Sequence, residues 1–197
     1  NLAGQFPVYT RSDYRGRPVR NNIWEYTKYG LANLRKLKTL DLANNKLTGT
    51  IEYRPLYNLA SLTHFDVSGN ELSGEVNALV TPSVKHSDFS NNHFTSMHRF
   101  DVYKVSPLQT LIFCDVSNNV IKNAAAHILK NIPPSIEQFF ASNNQIYGSL
   151  SASFNTLPKL RQFDMSSNKL SGILPEWLSN LPELRQFDMS SNALSGE

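Results

Sequence analysis

The sequence predicts a repeat solenoid of α/β type: a curved stack with a parallel β-sheet on its concave face and mostly irregular or 3₁₀ returns on its convex side. Three observations lead there. First, a block of one pattern recurs, as Leu37-Lys-Thr-Leu-Asp-Leu-Ala-Asn-Asn45-Lys-Leu-Thr-Gly49, then from Leu62 to Gly74 and from Leu160 to Gly172, with the last returning almost verbatim from Leu184 to Gly196. Second, the asparagines Asn45, Asn70, Asn92, Asn119, Asn144, Asn168 and Asn192 succeed one another at intervals of 25, 22, 27, 25, 24 and 24 residues. Third, apolar and polar residues alternate within each block, as in Leu40 and Leu42 against Thr39, Asp41 and Ala43, which is the period of a strand with one buried face.

Residues 1–30 precede the regular array. Leu2-Ala-Gly-Gln-Phe-Pro7 reads as the end of an earlier unit, and residues 8–30, with Arg15-Gly-Arg-Pro18 and Asn21-Asn22, read as a basic insertion or a degenerate unit. Residues 31–197 then hold about seven units, with looser copies at Val84–Phe94, Leu111–Ile121 and Ile136–Gly148. Ahead of each strand, apolar residues fall at every third position, as in Leu31, Leu34 and Leu37 or Leu178, Leu181 and Leu184, the spacing of a tight return with one buried edge. No single unit can bury its own apolar side, so neighbours must stack, and their strands must lie side by side in parallel. Each asparagine of the series falls where the chain leaves its strand. An amide carries both donors and acceptors, so these seven are expected to form a structural ladder that satisfies the backbone of the turns. The 27-residue interval before Asn119 predicts a small extra loop over Thr95–Val105. Neither end shows a polar cap, from which both ends are expected to be truncations of a longer array.

The core Leu-x-x-Leu-x-Leu-x-x-Asn-x-Leu resembles the leucine-rich repeat family, and Leu-Thr-Gly-Thr-Ile51 and Leu-Ser-Gly-Ile-Leu-Pro175 resemble its 24-residue plant-type subclass. The resemblance spans residues 31–197. It departs from the pattern at Ser96 and Asn123, where glycine is expected, and at Ser87 and Cys114, which replace strand leucines. The resemblance implies a non-catalytic recognition scaffold, extracellular or at the cell surface, binding a protein, peptide or glycan on its concave face. Two alternatives are an architectural subunit of a larger complex and the sensing ectodomain of a receptor whose enzymatic domain lies outside these residues.

Other chemistries find less support in the residues. Cys114 with His98 or His127 could pair a nucleophile with a base, but Cys114 shares a strand column with Leu40, Phe65, Phe139 and Phe163, where a small buried hydrophobe is expected. His86, His93 and His98 with Asp88 and Asp101 fit no zinc spacing, so no metal is expected. The aspartates Asp41, Asp66, Asp88, Asp115, Asp164 and Asp188 form a column beside serines, and a structural ladder is expected there instead of a glycosidase pair on an open, wet face. No nucleotide-binding or nucleophile motif is present, so neither an enzyme nor a cofactor is called for. Residues 1–38 carry eight basic groups against two acidic ones, yet no nucleic-acid motif accompanies them and no nucleic-acid partner is expected. No apolar run approaches the length of a spanning helix, so no transmembrane segment lies in these residues. No Asn-x-Ser/Thr sequon occurs, which leaves no acceptor for N-linked glycosylation.

The exposed strand columns are polar nearly throughout, and the exceptions mark the candidate partner site. Ile112 and Phe113 put apolar groups on the open face of the fourth strand, and Phe140 replaces the column aspartate on the fifth. With Gln138, His64 and His86 they form the partner-binding set, unless Thr95–Val105 folds over the rings as a private core.

Overall fold

The computed structural model describes residues 34–51, 53–77, 81–97, 110–130, 132–150 and 157–196. In chain order the elements are β1 (Thr39–Asp41), β2 (Thr48–Thr50), α1 (Tyr53–Leu56), β3 (His64–Asp66), β4 (Glu71–Val76), β5 (His86–Asp88), β6 (His93–Met97) and β7 (Phe113–Asp115). After these come α2 (Ala125–Leu129), β8 (Gln138–Phe140), β9 (Tyr147–Gly148), β10 (Gln162–Asp164), β11 (Lys169–Gly172), a 3₁₀ turn (Glu176–Asn180), β12 (Gln186–Asp188) and β13 (Ala193–Leu194). Strands β1, β3, β5, β7, β8, β10 and β12 pair in that order into one seven-stranded parallel sheet. This is the concave sheet of the predicted solenoid, and among the described residues its returns carry short flanking strands, α1, α2 and the 3₁₀ turn, and are otherwise irregular.

Each strand of this sheet has three residues, with the middle one turned inward. Leu40, Phe65, Ser87, Cys114, Phe139 and Phe163 fill that position and are all buried. Two residues on, Val67, Phe89, Val116, Ala141, Met165 and Met189 form a second buried column. At Ser87, the smallest residue of the first column, the second column holds Phe89, whose ring centroid lies 5.6 Å from that of Phe65. Where the first column is large the second can be small, as at Phe139 with Ala141. Complementary volumes keep the core at native density across units of unequal sequence.

The turn that ends each strand needs a left-handed residue. Asn44, Gly69, Asn91, Asn118, Asn143, Ser167 and Ser191 occupy it with φ between 52° and 63°, and asparagine and glycine tolerate that region best. The next residue is the asparagine of the recurring series. Asn119 is typical. Its Nδ2 donates to the carbonyls of Val116 (3.1 Å) and Ser117 (3.1 Å) in its own unit and of Phe89 (3.0 Å) in the preceding one. Its Oδ1 accepts from Phe94 N–H at 2.9 Å. Asn70, Asn92, Asn144, Asn168 and Asn192 bridge successive units with the same geometry. Asn45 donates to Leu42 and Ala43 of its own turn.

Two further sheets, which the repeat pattern did not predict, run along the flank: β2-β4-β6 and β9-β11-β13, each three-stranded and parallel. Gly74 shows what the glycine of Leu-x-Gly is for. It has φ +88°, and a β-carbon there would lie 2.8 Å from Cγ2 of Thr50 on the adjacent strand. The flanking sheets are interrupted at the unit that carries Asn123 in place of that glycine. There the Asn123 Oδ1 accepts from Met97 N–H at 2.7 Å, so a side chain takes over a contact to the neighbouring strand. Asn123 is half-buried by this contact, not a free surface residue. The expected Thr95–Val105 loop is corrected in part. Thr95–Met97 belong to β6, which pairs with β4 across a register shift at Gly74/Glu75, and 98–105 lie outside the described residues, as do residues 1–33.

Candidate functional site

The open face of the parallel sheet places equivalent residues of successive units in rows, because the strands pair in register. The row containing Thr39, His64, His86, Phe113, Gln138, Gln162 and Gln186 divides in two. In the middle units it is aromatic. His64 and His86 stack with centroids 4.5 Å apart and planes 5° from parallel, His86 lies 5.7 Å from Phe113, and Phe113 lies 5.8 Å from Phe140 on the diagonal of the next strand. Four rings from four units thus form one continuous strip. Toward the C-terminal end the same row is an amide ladder. Gln138 Nε2 donates to Gln162 Oε1, and Gln162 Nε2 donates to Gln186 Oε1 at 3.1 Å.

The strip joins four of the six residues singled out from the sequence. Phe113, Phe140 and His86 are half-buried and His64 is exposed. Gln138 belongs to the amide ladder that borders the strip. Ile112 sits one residue before β7, where its N–H donates to Lys85 O and its carbonyl accepts from Glu137 and Gln138. That His64 and His86 share a row follows from their position, each six residues before its unit's asparagine, whereas the stacking of their rings was not legible in the sequence. Burial, with His64 and Lys85 nearby, holds the His86 imidazole below its usual range, so the strip is uncharged at His86 near neutral pH.

Alongside runs the row of carboxylates. Each aspartate Oδ1 accepts the backbone N–H two residues on: Asp66 from Ser68 at 2.9 Å, Asp88 from Ser90 at 2.9 Å and Asp115 from Ser117 at 2.7 Å. The hydroxyls of Ser90 and Ser117 add a second donor to Asp88 and Asp115. The expected serine–aspartate ladder is thus built within each strand end from a backbone donor, joined at Asp88 and Asp115 by a serine hydroxyl. Burial pushes the Asp88 carboxyl up to about 6, with Asp115 and Asp66 adding repulsion, and burial likewise raises Asp115. On the fifth strand Phe140 interrupts the row, pairing with Asp115 on one side and Asp164 on the other.

The Asp88 shift has a measurable consequence. A carboxyl whose folded pKa lies above its unfolded one binds its proton more tightly when folded. Its contribution to stability is full below about pH 4 and is lost as pH rises through about 6. Asp88→Asn removes that titration and keeps an oxygen for Ser90 N–H. Its stability relative to wild type is expected to improve by about 1–2 kcal/mol between pH 4 and pH 7, allowing for solvent screening. Urea unfolding at the two pH values measures this, and a pH-independent difference would contradict it.

Cys114 is buried in the inward column and burial pushes its thiol well up, which removes the thiolate a nucleophile needs. His86 and His93 lie on different sheets, His98 and Asp101 lie outside the described residues, and among the described residues no three His, Cys, Asp or Glu side chains are placed to hold a metal ion. No described helix is long and apolar enough to cross a membrane.

The geometry has counterparts among known proteins. The family model described as "Leucine rich repeat" matches residues 19–72 and 134–194, more than half of the chain. Receptor-like protein 54 of Arabidopsis thaliana is 30% identical over 150 residues, covering 66% of this chain and 19% of that protein, so the chain spans about a fifth of this relative's length. The ectodomain of the plant membrane receptor kinase GASSHO1/SCHENGEN3 from Arabidopsis thaliana, solved with CASPARIAN STRIP INTEGRITY FACTOR 2, superposes with a TM-score of 0.72 at 26% identity, over 85% of this chain and 20% of that one. The Arabidopsis receptor kinase HAESA, solved with the peptide hormone IDA and the co-receptor SERK1, gives a TM-score of 0.69 at 26% identity, over 85% of this chain and 27% of that one. Family match, relatives and fold agree with the recurring Leu-x-Gly units: the chain belongs to the leucine-rich repeat family, in its plant-type form.

Proposed function

We propose that these residues are the ligand-recognition part of a receptor-like, extracellular protein, non-catalytic in themselves, that binds a peptide or protein segment across the open face of the sheet. The observation that carries the reading is the four-ring strip of His64, His86, Phe113 and Phe140. Planar, half-exposed rings in a row offer contact area at low entropic cost, and the neighbouring rows of amides and carboxylates provide hydrogen-bonding partners at its edge. The similarity to ectodomains solved with ligands supports the same reading.

The test is a random heptapeptide library panned on the chain. Phe113→Ala with Phe140→Ala is expected to weaken binding of the selected peptides by about 30-fold or more, corresponding to roughly 2 kcal/mol. Its melting temperature should stay close to that of wild type. A double variant that binds the peptides normally and melts much earlier would overturn the reading, and would assign the rings to an intramolecular core instead.

A further inference from the structure

The rings alone say that the occupant has an apolar or planar part. The row beside them says more. Asp66, Asp88 and Asp115 stand on three adjacent strands in register, two residues along the same strands from His64, His86 and Phe113. Among the described residues no lysine or arginine pairs with any of the three; the ion pairs there are those of Arg161 with Glu137 and Glu183. Each carboxylate commits Oδ1 to a backbone N–H. The serine hydroxyls beside Asp88 and Asp115 are neutral donors, so the negative charge of the row stays uncompensated. The basic excess of the chain lies in residues 1–38, and residues 39–197 hold 14 acidic against 11 basic groups, so the charge of the array around this row does not offset it. Phe140 interrupts the row between Asp115 and Asp164, so Asp88 and Asp115 are bordered by the rings of His86, Phe113 and Phe140.

Resting on the proposed peptide-binding role of this face, we infer that the peptide bound there carries a cationic side chain, best an arginine, within a residue or two of an apolar one, with the guanidinium set against Asp88 and Asp115 and the apolar group against Phe113 and Phe140. The charges are complementary, and a guanidinium has the properties the place asks for. Its planar fork matches carboxylate oxygens, its face stacks on aromatic rings, and it is more weakly hydrated than an ammonium, so it loses less on entering a half-buried strip. Arrival of a cation also relieves the repulsion among three crowded carboxylates.

The same heptapeptide panning tests this with different readouts. Wild-type chain is expected to enrich arginine next to Trp, Phe, Leu or Pro over the unselected library. For a selected peptide, replacing its arginine by citrulline, which keeps shape and removes charge, should weaken binding about tenfold. Asp88→Asn with Asp115→Asn retains the oxygens that accept Ser90 and Ser117 N–H. On this variant the arginine and citrulline peptides should bind equally, while the apolar preference persists. Wild type selecting peptides without excess arginine or lysine, or an unchanged citrulline ratio in the double variant, would overturn the inference and leave the docking face standing. Peptides that bind Phe113→Ala/Phe140→Ala as well as wild type would overturn the docking face itself, and the inference with it.

Discussion

Phe89→Ala is expected to destabilise the protein by about 4 kcal/mol, the range for a fully buried aromatic that leaves an unfilled cavity. Phe89 is fully buried, 5.6 Å from the Phe65 ring and 5.7 Å from Phe94 in an edge-on arrangement. It fills the space that Ser87, the small residue of the inward column, leaves open. Volume exchange between the two columns carries a second expectation that size alone does not. Phe89→Val combined with Ser87→Phe restores the arrangement of the preceding unit, where Phe65 stands with Val67. That pair should recover about half or more of the loss. Urea unfolding of the two variants decides it. A loss under about 1 kcal/mol for Phe89→Ala, or no recovery in the double variant, would refute the volume exchange.

Asn119→Ala should cost about 3 kcal/mol, because it strips one N–H and as many as three carbonyls of a partner in a buried turn. The exposed Lys122→Ala, three residues on, should cost less than about 0.5 kcal/mol. Asn123→Ala, which loses the 2.7 Å contact from Met97 N–H, should fall between them at about 1 kcal/mol. Equal urea midpoints for Asn119→Ala and Lys122→Ala would remove the asparagine series from its structural role.

Asn119 and Asn123 mark where sequence reasoning stops. The first could be assigned its task from position alone, because a turn leaving a strand must satisfy its backbone, and a short amide reaches donors and acceptors of two units at once. Asn123 could not. The sequence shows it only as a missing glycine, and its half-buried contact with Met97 depends on where the neighbouring unit's β6 runs. The extra residues before Asn119 were likewise read as loop, whereas Thr95–Met97 extend a flanking strand, since pairing with β4 satisfies backbone groups that a loop would leave to water.

The candidate site divides the same way. Phe113 and Phe140 were legible as apolar intruders in polar rows, and their mutual reach came from pairing in register. That His64 and His86 stack with them into one strip, that burial raises the proton affinity of Asp88 and Asp115, and that Gln138 turns away into an amide ladder are results of three-dimensional neighbourhood.

By itself, then, the sequence determined the repeat, its parallel strand, the buried and exposed rows and the asparagine series, because these rest on local periodicity and on the need of each unit for a neighbour. Only the tertiary structure decided which large residue compensates which small one, where the flanking sheets form and break, and which side chains from different units meet on the open face. Such contacts join residues 20 to 30 positions apart, and their energies depend on volumes and fields that exist only once the units are stacked.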